Sequence, residues 1–325
     1  MNSRERFRAT MESGQPDRAP LFAEGLRKDV LATWRGQGMP RNAALPRLFL
    51  MDKREEVEAH LWPIPMPATW PTNLDEVEEY SRRLDPDDPK RLPKNWSRVI
   101  TKWRRGAQVR MLYVHHGFFE SAGVEGWSRF HELMYLVKDD PAVIRQMLDL
   151  QGQLNARLVA RMLEEVEVEA AVFSEPIGAN HGPLISPEMY RELALPGYQP
   201  ILAVLRDHRV RTIILRTYAN CRALIPALLE AGFNCLWAVE VFGYEMDYRE
   251  LRREFGTDLR LIGGIDLDVL REGKEAIRRE VETKVPPLLA QGGYAPLADG
   301  RVRADVPWEN YRYYRKLLEQ AASGN

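Results

Sequence analysis

Short apolar runs that stop at a glycine or a charged side chain recur along this chain, each followed by a longer stretch with helical spacing. The runs fall at residues 21–23, 109–115, 170–174, 210–215, 235–239, 259–262 and 294–297, with a less regular one near 60–64. Helical spacing covers 3–13, 27–37, 127–137, 141–165, 187–206, 223–231, 248–255, 269–289 and 308–318. In 141–165 the apolar positions Ile144, Met147, Leu148, Leu154, Leu158 and Met162 share one face, the signature of a helix laid on a core. Ser186 before Pro187 reads as a helix start, and Gly232 and Gly256 read as helix stops. Buried strands alternating with helices predict a parallel sheet, and eight of them predict a (β/α)8 TIM barrel.

Residues 40–106 break the alternation. They hold PIPMPATWP, DPDDP and several tryptophans, too apolar for a disordered linker. The expectation is one barrel domain over 1–325, with 40–106 as an irregular Pro/Trp-rich insertion or lid after the first β/α unit.

In such a barrel the chemistry sits where the strands end. Polar residues at those expected ends are Glu24, His115, His116, Glu175, Arg216, Tyr218, Glu240, Asp266 and Asp299, with Glu120 and His181 in the adjoining loops. A guanidinium fixed at Arg216 suits a substrate carboxylate or phosphate; an ion pair to Glu175 or Glu240 is the structural alternative. Tyr218 could donate a proton or line the pocket. His115 and His116 are neighbours on a strand, so at most one faces the barrel interior. Glu175 with His181 makes an acid/base pair. Zinc could be held by His116 or His181 with Glu175 and Glu240. Asp266 and Asp299 read as substrate contacts or as caps of the loops that follow. Arg27 is the arginine nearest the first strand end. Glu175, Arg216, Glu240, His181 and Tyr218 are therefore the catalytic candidates, and Glu24, Arg27, His116, Glu120, Asp266 and Asp299 the substrate-binding ones.

Charge and composition narrow the class. The formal net charge is -1, from 46 basic and 47 acidic side chains, which argues against a nucleic-acid partner. No apolar stretch approaches bilayer length and the first residues lack a signal-peptide core, so a cytoplasmic protein is expected. Cys221 and Cys235 fit a reducing compartment.

The ordered fragments RERFRATMESGQPDRAPLF, GFFE, FSEP, GPLISPEMYRELALPGY, LIPALLEAGFNCL, LIGGIDLDVLREG and GGYAPLAD resemble the uroporphyrinogen decarboxylase superfamily. The similarity extends to its corrinoid-dependent methyltransferase branch. That resemblance implies a (β/α)8 barrel, a homodimer, and one of two reactions. The first is methyl transfer from a small methoxylated or methylated substrate to a corrinoid protein. The second is decarboxylation of a tetrapyrrole or aromatic acid, with Arg216 binding a carboxylate and Glu175, His181 or Tyr218 supplying the proton. A barrel without chemistry, acting as a binding subunit, is the third reading. The arginine-rich loop of true uroporphyrinogen decarboxylases is not matched by FAEGLRKDVLATWR. The zinc ligands of the thiol-methylating branch, His-x-Cys and a later Cys, are replaced by Arg216-Thr217-Tyr218 and Leu297-Ala298-Asp299. No tightly bound cofactor is expected beyond a corrinoid on a partner.

Overall fold

A computed structural model describes residues 1–179, 181–218, 220–238 and 246–324. Seven parallel strands form one curled sheet with neighbours in chain order. They are β1 (Arg54–Glu58), β2 (Val109–His115), β3 (Ala170–Ser174), β4 (Thr212–Thr217), β5 (Cys235–Ala238), β6 (Arg260–Ile265) and β7 (Tyr294–Ala298). Sequential parallel order requires a crossover after each strand, which the helices supply. The longest, Pro141–Leu163, packs against Leu195–Asp207 on the outside of the sheet.

The inner face of the sheet has its own core. Val109, Met111, Ala170, Val172, Ile214, Cys235, Trp237, Ile262, Ala295 and Leu297 point inward at alternating positions. The first helix, Ser3–Met11, inserts Phe7 and Met11 into the same cluster at the end where the strands begin. Fully burying one such side chain contributes roughly 1.5–3 kcal/mol.

The expected first strand takes another form. Residues 21–24 carry no ladder of their own, yet they lie between the two edges of the sheet. The Leu21 N–H donates to Asp52 Oδ2 at 2.9 Å, and the Asp52 N–H donates to the Leu21 carbonyl at 2.7 Å. Phe22 joins the inner cluster, and Gly25–Leu26 pairs in parallel with Arg301–Val302 just beyond β7.

The second strand is Arg54–Glu58, not 60–64 as the spacing suggested. It pairs along its whole length with β2, so the stretch 40–106 supplies a strand of the sheet. The remainder of that stretch is tied down by Arg91. Its buried guanidinium donates to the carbonyls of Asp85, His60, Trp62 and Arg83 at 2.5–2.9 Å. This holds Trp62 over the end of β2, where it stacks on His116 at 4.3 Å between ring centres.

Two helices depart from the expected spans. Gly273 (φ 118°) divides 269–289 into Val269–Glu272 and Lys274–Gln291. A π turn at Tyr190–Ala194 precedes Leu195–Asp207, next to Pro196, which has no N–H to continue the α ladder. The turn brings Tyr190 and Tyr198 onto one buried acid, Glu175.

Candidate active site

The interior of the sheet along β1 to β5 carries a row that is charged and aromatic, with Arg54 at the start of β1 reaching into it. Strand register sets Ser174, Arg216 and Trp237 side by side on β3, β4 and β5. Across from them β1 points Arg54, Glu56 and Glu58 inward, since Glu55 and Val57 face the helices outside. Arg216 Nη1 donates to Glu56 Oε2 at 2.8 Å. Its guanidinium carbon lies 5.2 Å from the Trp237 ring centre and 5.3 Å from that of Tyr113. Arg54 lies 4.5 Å from the same Trp237 ring and 5.2 Å from Phe22.

These groups are enclosed by protein but open to solvent. Side-chain exposure is 22% for Arg54, 16% for Arg216 and 26% for Glu56. Burial pulls the Arg54 pKa down, and the neighbouring Arg216 cation adds to that; Glu56 and Glu24 oppose it. For Arg216 burial acts the same way, but Glu56 more than offsets it and the pKa is raised. Arg54 Nη1 and Arg216 Nε have no hydrogen-bond partner among the described residues. Two guanidiniums thus share one carboxylate.

A second group adjoins this row through Tyr113, whose ring centre is 5.3 Å from that of His116. Burial pushes the Tyr113 phenol up to about 12. A register shift between Tyr113 and His115 sends the two histidines to different sides. His115 turns into the helix layer against Phe173 and Tyr198 and accepts from the Gly117 N–H at 2.8 Å. Burial there pushes its pKa down to about 3, so it is neutral. His116 stays at the mouth between two carboxylates. Glu58 Oε1 is 2.9 Å from its Nε2, off the line of a hydrogen bond, and Glu120 Oε2 is 3.6 Å from its Nδ1. Burial, the first cause, raises the Glu120 pKa; Glu58 adds to this and His116 opposes it.

Other expected site residues are placed elsewhere. Glu175 follows the inward Ser174 and so points outward, fully buried. It accepts from the Phe118 N–H at 2.9 Å, the Tyr190 hydroxyl at 3.0 Å and the Tyr198 hydroxyl. Burial pushes its pKa up to about 7 against those three donors. It makes no pair with Arg216, and His181 is an exposed loop residue. The zinc set drawn from His116 or His181 with Glu175 is therefore not assembled, because Glu175 lies behind the sheet. No group of three candidate ligands converges among the described residues. Glu240 lies outside the described residues.

Glu24 is fully buried in an ion pair with Arg315, with Tyr311 and Tyr314 donating to it at 2.7 and 2.8 Å. It is committed to the last helix rather than to a substrate. Arg27 is exposed beside the Gly25–Leu26 ladder, and Tyr218 is 46% exposed past the end of β4. Asp266 accepts from the Asp268 N–H at 2.8 Å, closing the turn into the next helix. Asp299 is buried and accepts from the Gly264 N–H at 3.0 Å. A separate cavity of about 870 Å³ opens at the opposite end of the barrel, lined by Thr10, Gln15, Gly292 and Ala322 among others; none of the expected site residues borders it.

Arg54, Glu56 and Glu58 were missed because they alternate within REEVE, which reads as solvated surface. The usable signal was the strand period itself, placing three charges on one face. No helix of the described residues is long and apolar enough to cross a membrane. No curated protein matches the chain. A model of the uroporphyrinogen decarboxylase (URO-D) family matches residues 119–295, more than half of the chain. That match runs through β3 to β6 and takes in Glu120, Glu175, Arg216 and Asp266, and with it the chain belongs to the uroporphyrinogen decarboxylase family of enzymes.

Proposed function

We propose that the protein is a decarboxylase acting on a carboxylated aromatic or tetrapyrrole substrate. The observation that carries this is the shared ring of Tyr113, with Arg216 of β4 5.3 Å from its centre and His116, just past the end of β2, 5.3 Å away. An anion-binding group and a proton-carrying group thus line one aromatic-walled mouth.

In this reading Arg216 holds a substrate carboxylate with charge-assisted hydrogen bonds. The bond from the reacting carbon to its carboxylate breaks, carbon dioxide leaves, and the electron pair stays on the carbon, delocalised into the ring. The imidazolium of His116 gives that carbon a proton. Solvent restores the proton through Glu58 and Glu120, which are 38% and 41% exposed. No other co-reactant is consumed. The test is carbon dioxide release from a panel of tetrapyrrole and aromatic acids. Release that disappears in His116→Gln supports the reading; no release from any acid sinks it.

A second reading, methyl transfer to a corrinoid protein, is favoured by a different observation. Trp127 and Tyr135 are 77% and 70% exposed on the helix Trp127–Asp139, and Phe130 of that helix packs on Phe119 of the mouth segment. An aromatic ridge next to the mouth suits a docked protein. Loss of a methyl group from a methoxylated acid only when a corrinoid protein is present would decide for this reaction.

A further inference from the structure

We infer that Arg54, Trp237 and Arg216 form a subsite for a planar aromatic carboxylate, and that Glu56 occupies the anion's place when the subsite is empty. This deepens the reading above, with which it shares Arg216, by naming the substrate class and a second cation.

Three observations carry it. First, both guanidiniums lie against the same indole, at 4.5 and 5.2 Å from its centre. A flat ring that enters this mouth meets two guanidiniums backed by that buried indole, and a guanidinium suits both stacking and bidentate hydrogen bonds. Second, among the described residues Glu56 is the one carboxylate that ion-pairs with Arg54 and Arg216. It reaches Arg216 at 2.8 Å but Arg54 only at 3.7 Å. One carboxylate between two guanidiniums leaves a net positive charge among these three groups, which suits a further anion. Third, Arg54 Nη1 and Arg216 Nε are buried donors without partners among the described residues. Unpaired buried donors carry a desolvation cost that a bound carboxylate would remove.

Glu56 acts in this picture as an internal competitor. It holds Arg216 in place, and a bound carboxylate must share or displace it. Removing its charge should therefore tighten binding, the opposite sign from removing either arginine. A residue that merely supported the fold would not give opposite signs.

The test is calorimetric titration of the full chain with 2-naphthoate and with its neutral counterpart 2-naphthamide. Wild type is expected to bind naphthoate at least about tenfold more tightly than the amide. Arg54→Gln and Arg216→Gln should each weaken naphthoate by about tenfold or more and leave the amide unchanged. Glu56→Gln should tighten naphthoate severalfold, and because it strengthens binding, a misfolded variant cannot imitate it. Equal affinity for acid and amide, no binding of naphthoate to wild type, or a Glu56→Gln protein that binds it no better than wild type would each overturn the subsite. Failure of the reaction reads out separately. The expected pattern of affinities without carbon dioxide release from any acid removes the decarboxylase reading and keeps the subsite. Carbon dioxide release with affinities unchanged by Glu56→Gln does the reverse.

Discussion

Arg216 on β4 and Glu56 on β1 meet at 2.8 Å across the interior of the curled sheet. The contact joins strands that are three places apart in the order, so it bears on the sheet's closure as well as on the site. Both groups keep some solvent exposure, which screens the pair. A double-mutant cycle with Arg216→Met and Glu56→Leu should give a coupling of about 1–2 kcal/mol in urea unfolding. Arg216→Met alone should cost more than the double substitution, because it leaves Glu56 facing Arg54 only at longer range. A coupling indistinguishable from zero would show that the pair contributes nothing to stability.

Glu24 and Arg315 are a different case, since both side chains are fully inaccessible. Arg315 also donates to the carbonyls of Phe22 and Leu50, tying the last helix to the chain before β1. Breaking a buried pair on one side leaves an uncompensated charge, at roughly 3–5 kcal/mol. Glu24→Gln should be milder than Arg315→Met, because the amide can still accept from Tyr311 and Tyr314. Thermal and urea unfolding would rank them. An Arg315→Met protein as stable as wild type would show that the pair does not hold the helix.

How much of this was readable beforehand depended on strand parity. The inward placement of Arg216 follows from Ile214 being apolar and inward, and period two could have placed Glu175 outward from the same rule. Residue type at a strand end drew attention to Glu175, while its parity sent it behind the sheet. The two histidines could not be assigned by counting, because the register shift after Tyr113 resets the parity. Strand β1 was hidden for a physical reason: its inward residues line a polar mouth rather than the apolar core, so the alternation is charged on both faces. The contact of Trp62 with His116 depends on the buried Arg91 and its four carbonyls, a relation that no local pattern encodes.

Glu175 makes stability depend on pH in a defined direction. Burial raises its folded-state pKa to about 7, above that of an exposed glutamate. Between those values the unfolded chain has released a proton that the folded protein keeps. Stability from this group is therefore fully present below about pH 4.5 and falls as pH rises toward 7, by roughly 3 kcal/mol in all. Glu175→Gln keeps an acceptor for Phe118 N–H and donors for the two tyrosine oxygens without the charge. It should match wild type near pH 4.5 and exceed it at pH 8 in urea unfolding. Equal stability at pH 8 would mean that the carboxylate is better compensated by its hydrogen bonds than its burial implies.

His115 works in the other direction. Its folded-state pKa is pushed down to about 3 by burial, with His116 adding to the effect. The unfolded chain binds a proton below about pH 6.5 that the folded protein refuses, so stability is lost as pH falls from there. The windows of His115 and Glu175 overlap between about pH 4.5 and 6.5, where their slopes oppose each other. The Glu175→Gln protein should thus lose stability more steeply than wild type on acidification through that interval. Parallel pH profiles would show that His115 is not held neutral.

Asp299, just past β7, and Gly264 of β6 are joined by one hydrogen bond of 3.0 Å. Gly264 sits at φ 86°, and a Cβ there would lie 2.5 Å from the Tyr248 ring. Gly264→Ala should therefore destabilise by about 2–4 kcal/mol, from backbone strain and from displacing a fully buried tyrosine. Burial, the first cause, holds the Asp299 carboxyl well above its usual range, and Asp299→Asn keeps its shape without a charge to bury. The amide oxygen can still take the Gly264 N–H. Asp299→Leu cannot, and should cost about 1–3 kcal/mol for the unpaired donor. Unfolding at pH 8 should order the variants as Asn at or above wild type and Leu below it. If Asn destabilised as much as Leu, the ionised carboxylate would be the form that the fold uses.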